Sequence, residues 1–134
     1  MPSFSQRSKD RLATCHPDLI KLFNAVVKKH DCTILEGVRS DARQRELFAA
    51  GKSKLDGSPG HRSKHQPTIE GWSRAVDVAP YPIDWKDRER FIHFAGIVLG
   101  YAESMGIDLR IGADWSGDGI FTESFFDAPH VELR

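Results

Sequence analysis

Phe125-Phe126-Asp127-Ala128-Pro129-His130-Val131-Glu132-Leu133-Arg134 passes from a turn to an extended segment within ten residues. Val131 and Leu133 alternate with His130, Glu132 and Arg134, and this period of two predicts a short strand with His130 on one face. Asp127 stands three positions before the histidine, in a turn closed by Pro129, a residue that biases its predecessor toward extended backbone. A carboxylate so placed can lean toward whatever the imidazole holds. If that is a metal ion such as zinc, the carboxylate is positioned to take a proton from a water on the metal. The structural alternative is a C-terminal edge strand carrying one ordinary histidine.

Working outward, residues 75–79, Ala-Val-Asp-Val-Ala, form a second strand with Asp77 in the middle of an apolar run. Burying a carboxylate among Ala and Val is costly unless it pairs with a cation or a metal. Residues 52–71 are rich in Ser, Gly, Pro, Lys and His and have no sustained periodicity, so a long loop is expected, a kind of segment that tends to be functional. It contains His61 and His65, four apart, with Pro59, Gly60 and Pro67 arguing against a helix. Upstream, residues 32–35 read as a strand. Ser40 then caps a helix that stops at Gly51. Arg39 therefore sits at a strand end just before a helix, where a guanidinium can reach into a cleft; the alternative is a solvated surface charge.

The remaining elements supply the core. Residues 17–29 carry Leu19, Ile20, Leu22, Phe23, Val26 and Val27 at helical spacing, with Pro17 in the first turn and lysines in the last. A shorter helix begins near Ser8. A long one spans about 86–105 and ends at Gly106, and residues 107–111 form another strand. His93, inside the long helix, is expected on its polar face.

A chain of 134 residues fits one domain with a proper core. Lys plus Arg and Asp plus Glu number 19 each, leaving no net charge to draw the chain onto nucleic acid or an anionic membrane. No apolar run approaches a membrane span, and the N-terminal residues lack a signal-peptide pattern, so synthesis as a soluble cytoplasmic protein is expected. Cys15 and Cys32 are expected as free core thiols. A structural zinc site made by Cys15-His16 and His30-Asp31-Cys32 matches no common finger spacing, and the helix between the pairs would hold them roughly 20 Å apart.

His65, Asp77 and His130 are the candidate ligands, because two neutral nitrogens, one hard oxygen and an open position suit catalytic zinc. Ser63-Lys-His65, Ala75-Val-Asp77 and Asp127-Ala-Pro-His130 resemble the S-x-H, A-x-D and (E/D)-x-x-H motifs of the zinc peptidoglycan peptidases of the Hedgehog and D-alanyl-D-alanine peptidase fold. Gly37-Val-Arg39-Ser40 with Gln44, Leu47 and Gly51 resembles the arginine segment of that family, and Gly112-Ala-Asp114-Trp115 the stretch before its last motif. The resemblance spans nearly the whole chain and is greatest to the small L-alanyl-D-glutamate endopeptidases that serve tailed phages as endolysins. In one respect the chain departs from them: the eleven residues 66–76 separate His65 from Asp77, more than is usual. This implies an insertion of about five residues at a loop tip within 66–71, which chain closure tolerates; with a shifted register, His61 or another group would replace His65.

The resemblance implies a single α+β domain over residues 1–134, with a small antiparallel sheet flanked by helices. It implies that His65, Asp77 and His130 hold zinc. Asp127 would act as general base and then as acid to the leaving amine, while Arg39 stabilises the oxyanion. The partner would be a bacterial peptidoglycan stem peptide, cut between L-alanine and D-glutamate by a monomer made in the host cytoplasm and acting on the wall after release. Two alternatives share the scaffold: a D-alanyl-D-alanine carboxypeptidase or dipeptidase, and a non-catalytic zinc or wall-binding domain. Asp114, Ser116 and Asp118 alternate ahead of Gly119 as in the first half of a calcium loop, although Phe125 occupies the place of the late bidentate glutamate. The alternative there is an Asp- and Gly-rich turn.

Overall fold

The structure is a computed structural model that describes residues 2–114, 117 and 127–134. Eight elements follow one another: α1 (Gln6–Leu12), α2 (Pro17–Val27), β1 (Cys32–Glu36), α3 (Asp41–Ala49), β2 (Ala75–Pro80), α4 (Arg88–Ser104), β3 (Leu109–Ile111) and β4 (His130–Leu133). The four strands form one sheet in the order β1-β2-β4-β3, every neighbour antiparallel. The expected α+β architecture is present. The last strand, however, is interior rather than an edge: β4 lies between β2 and β3, and all four of its residues are buried. Strand order depends on long-range pairing, which a local period of two does not encode.

Helix starts follow local chemistry. Ser5 accepts a hydrogen bond from the Ser8 amide at 3.2 Å, and Ser40 accepts one from Arg43 at 3.0 Å, satisfying amides that lack a helical partner. His16 caps α2, its Nδ1 accepting from the Asp18 amide at 3.0 Å, with Pro17 in the first turn. Asp87 caps α4 at 3.1 Å from the Arg90 amide, so that helix begins two residues later than the expected 86.

The apolar stripe of α2 closes the core. Leu19, Leu22, Phe23 and Val26 have no exposed surface, and they meet Phe94, Ala95 and Val98 of α4 and one face of the sheet, including Val76, Val78, Val131 and Leu133. Because side chains alternate along a strand, the partners of these residues, Asp77, His130 and Glu132, turn to the opposite face. The sheet thus separates an oily layer from a polar cleft. Cys15 and Cys32 are buried free thiols, as expected, and burial pushes the Cys32 thiol up to about 12. His93 is exposed. Among the described residues no helix is long and apolar enough to cross a membrane.

Phe23→Ala should cost about 3–5 kcal/mol because its cavity opens at the centre of this layer. Phe48→Ala, at a half-exposed site, should stay within about 0.5 kcal/mol of the parent. Urea midpoints of the two variants at unchanged m-value provide the comparison.

Candidate metal centre and active site

Strand register brings the first two candidate ligands together. Asp77 and His130 are direct cross-strand partners on β2 and β4, and Asp77 Oδ1 lies 3.4 Å from His130 Nδ1. His65 arrives from the long loop and is gripped at three points. Its amide donates to the Ser63 hydroxyl at 3.1 Å, its carbonyl accepts from the Arg39 amide at 2.7 Å, and its ring Nδ1 lies 2.9 Å from the Gly37 carbonyl. The first of these contacts explains why serine stands two residues before the histidine: its hydroxyl closes the turn that aims the ring. His65 is 2% exposed, whereas His61 is exposed and outside the cluster, so the longer spacing before Asp77 leaves the register intact. The extra residues make a turn at Thr68–Trp72, closed by the Thr68 amide on the Trp72 carbonyl at 2.9 Å, with Ile69 fully exposed at its tip.

The tautomers follow from the partners. A carbonyl oxygen only accepts, so His65 donates Nδ1–H to Gly37 and presents Nε2, which sits 3.1 Å from Asp77 Oδ1. His130 Nε2 is 2.8 Å from Glu132 Oε1, which leaves Nδ1 directed at the same aspartate oxygen. With both rings neutral, two lone pairs and a carboxylate oxygen face one another within 4.8 Å and have no hydrogen between them. Such a set is stabilised only by a cation, and two imidazoles plus one carboxylate form a donor set that fits zinc. Glu132 and the Gly37 carbonyl are the outer partners that fix ring orientation in metal sites of this kind.

Asp127 is held beside the cluster. Its amide donates to the Gly112 carbonyl at 3.0 Å, and its own carbonyl accepts from the His130 amide at 3.1 Å. A side chain on Gly112 would run into the Asp127 carbonyl, so the glycine is required for space and not for its dihedral angles. Arg39 lies in the same cleft, of about 640 Å³, with Asp127 and the three candidate ligands. Its guanidinium donates through Nε and Nη2 to the Glu36 carboxylate and through Nη1 to Gln44 Oε1 at 2.9 Å. Glu36 reaches that position through an irregularity in β1. Ile34 pairs with Val78 but Glu36 pairs with Asp77, so Leu35 is the extra residue of a β-bulge that turns the glutamate to the cleft face. The Glu36 and Gln44 contacts are absent from the sequence-based picture; the i, i+3 spacing of Glu36 and Arg39 is the signal that could have pointed to the first. Asp114 is buried and its amide is bonded to the Ile111 carbonyl at 3.1 Å, while Ser116 and Asp118 lie outside the described residues.

The family model for phage L-alanyl-D-glutamate peptidase matches residues 2–134. The chain belongs to the phage L-alanyl-D-glutamate peptidase family. Among relatives of this family member is the L-alanyl-D-glutamate peptidase of Escherichia phage T5, 34% identical over 139 aligned residues that cover 97% of this chain and 96% of the relative. The crystal structure of the Serratia marcescens L-Ala D-Glu endopeptidase ChiX superposes with a TM-score of 0.74 at 29% identity, over 99% of this chain and 91% of that one.

The electrostatics of this peptidase-family site follow from the facing acceptors. Burial alone would push the Asp77 carboxyl up, yet hydrogen bonds and charge from His130 and His65 hold it well below the ordinary carboxylate range. Burial opposes charge on His130 as well, but Asp77, Glu132 and Asp127 outweigh it and raise the imidazole to about 9. Burial and the nearby Asp77 charge raise the Asp127 carboxyl, against the opposing pull of His130, His65 and Arg39.

In the metal-free protein, the raised His130 contributes stability that is complete below its ordinary value of about 6.5 and fades as pH rises through about 9. A bound metal must displace that proton. Divalent-ion affinity should therefore climb by about tenfold per pH unit between those limits and then level off; calorimetry in buffers of different ionisation heat should register one proton released at neutral pH. Affinity indifferent to pH over that range would contradict the assignment of the site. Removing the outer carboxylate with Glu132→Ala should weaken metal binding by about 10–100-fold, read by competition with a chromogenic chelator.

Proposed function

We propose that this protein is a zinc-dependent endopeptidase that hydrolyses the L-alanyl-D-glutamate bond of bacterial peptidoglycan stem peptides, as a phage-type endolysin whose whole chain is one peptidase domain. The observation that carries the reading is the convergence of His65 Nε2, Asp77 Oδ1 and His130 Nδ1 beside Asp127 in a single cleft, in a chain whose family and relatives are named for this cut.

Zinc held by those three atoms would supply Lewis-acid activation of water and of the scissile carbonyl. The chain's own groups account for the remaining steps. Asp127, with its carboxyl raised by burial and by Asp77, is a better base than an ordinary surface aspartate. It takes the proton of the attacking water and passes it to the departing D-glutamate nitrogen as the C–N bond breaks. Gly112 sets the place of that carboxylate by admitting the Asp127 backbone so closely. Arg39 offers guanidinium N–H groups to the oxyanion that develops on the alanyl carbonyl. Glu36 and Gln44 fix its orientation in advance, so little reorganisation accompanies the charge shift. A domain that only bound wall fragments would require neither a base nor an oxyanion partner.

Mass spectrometry of purified peptidoglycan digested with zinc-loaded protein should reveal new C-terminal L-alanine and N-terminal D-glutamate, and a chelator should abolish both. Release of D-alanine in their place would transfer the cut to the other end of the stem. Asp127→Ala should retain zinc yet lose about 10²–10⁴ in turnover, whereas His130→Ala should lose metal and turnover together; full activity in Asp127→Ala would assign the base elsewhere.

A further inference from the structure

Among the described residues β1 is an edge strand of the sheet, so one side of its backbone needs hydrogen-bond partners that no neighbouring strand provides. α1 provides them. The buried Ser8 hydroxyl accepts from the Ile34 amide at 3.1 Å, and Arg11 Nη1 donates to the Ile34 carbonyl at 3.1 Å. Just past the helix, the Thr14 hydroxyl accepts from the Val38 amide at 2.9 Å. Ser8, Arg11 and Thr14 recur every three residues, a spacing that brings side chains to one side of a helix and its closing turn. A row of side chains thus takes the place of a further strand.

Thr14 differs from the other two in what lies behind its partner. Its own proton goes to the Arg11 carbonyl at 2.7 Å, which fixes the hydroxyl as an acceptor toward Val38. The two segments approach this closely because the residue before Val38 is Gly37, where a Cβ would run into the Arg11 carbonyl and the Thr14 hydroxyl. The Val38 N–H and the Gly37 carbonyl belong to one planar peptide unit. Thr14 holds its nitrogen end, and the Nδ1–H of His65 holds its oxygen end at 2.9 Å. The next amide, that of Arg39, donates to the His65 carbonyl at 2.7 Å. The same turn also reaches the approach to β2: the Ser73 amide donates to the Thr14 carbonyl at 3.1 Å, and the His16 amide donates to the Ser73 carbonyl at 2.8 Å. Residues 14–16 therefore join the segment that aims His65 to the strand that carries Asp77.

We propose that Thr14 is a positioning residue of the metal centre: by holding the Gly37–Val38 peptide plane from outside the cleft, its hydroxyl sets the direction of the His65 ring and with it the affinity for the ion. The inference rests on the donor set assigned above. Two effects carry it. A peptide plane gripped at both ends cannot turn without breaking a hydrogen bond, so the carbonyl that fixes the His65 tautomer stays aimed at Nδ1. A donor on the amide end also polarises the carbonyl end, which strengthens its bond to the imidazole and raises the basicity of Nε2. Removing the hydroxyl frees the plane and leaves the Val38 amide without its acceptor.

The test measures zinc affinity of the full chain by competition with a chromogenic chelator, beside urea unfolding of the same samples. Thr14→Val should bind zinc about tenfold more weakly, the low end of the loss that follows from disturbing a ligand's outer partner. Thr14→Ser keeps the hydroxyl and should restore the parent affinity. Val26→Ala, which opens a cavity in the apolar layer on the other face of the sheet, should lose stability and bind zinc as the parent does. If Thr14→Val does not fold, the smaller Thr14→Ala carries the same comparison with Thr14→Ser. Unchanged affinity in Thr14→Val, a loss that Thr14→Ser shares in full, or one that Val26→Ala matches would overturn the positioning role and leave the metal centre standing. A parent protein that binds no zinc would remove the metal centre and this inference together.

Discussion

Asp77 Oδ1 is the atom on which the cleft converges, and its position is set by strand register rather than by local sequence. It faces His65 Nε2 at 3.1 Å and His130 Nδ1 at 3.4 Å, with the opposite nitrogen of each ring directed at an oxygen. The neutral arrangement is repulsive, so the folded chain holds a demand for positive charge at one point. A proton meets that demand in the metal-free protein, raising His130 and lowering Asp77. A divalent ion would meet it better, because it would engage all three donors at once. A one-residue slip between β2 and β4 would send Asp77 or His130 into the apolar layer and remove the site entirely.

Around this centre the supporting groups are paired rather than isolated. Glu132 and the Gly37 carbonyl orient the rings, while Glu36 and Gln44 orient the guanidinium. Two buried glutamines do much of the bracing of a loop that has no helix or strand of its own. Gln44 ties it to Arg39. Gln66 accepts from the Ser63 amide at 2.7 Å and donates to Asp41 at 2.9 Å and to the Gly57 carbonyl at 3.2 Å. A long segment can thus present His65 with the precision of a strand residue, because its polar groups are satisfied by fixed partners.

The elements were legible where a physical period or a terminator marked them. The apolar stripe of Leu19, Leu22, Phe23 and Val26, the serine cap at Ser40, and the alternation through Val131 and Leu133 each correspond to an element seen in the fold, whereas the first helix, expected from near Ser8, starts at Gln6 behind the Ser5 cap. Asp77 was legible as an anomaly, a carboxylate in an apolar strand that needs a cation. What the residues did not reveal depends on backbone events and on partners distant along the chain. The bulge at Leu35 leaves no compositional mark, yet it decides that Glu36 rather than its neighbour faces Asp77. Gln44 reads as one more polar residue in a weakly amphipathic helix, and its complete burial becomes visible only once the loop at 53–55 folds over it. The interior place of β4 likewise follows from pairing, which no ten-residue window contains.

The turn at Thr68–Trp72 carries the extra length between His65 and Asp77 to the outside. Its closure at the base, by the Thr68 and Gly71 amides, isolates the tip from the ring of His65. Lengthening a flexible loop costs only about 0.6 kcal/mol for each doubling, so this apex is a natural splice point: a peptide tag or a small wall-targeting module grafted beside Ile69 would travel with the catalyst without being felt by it.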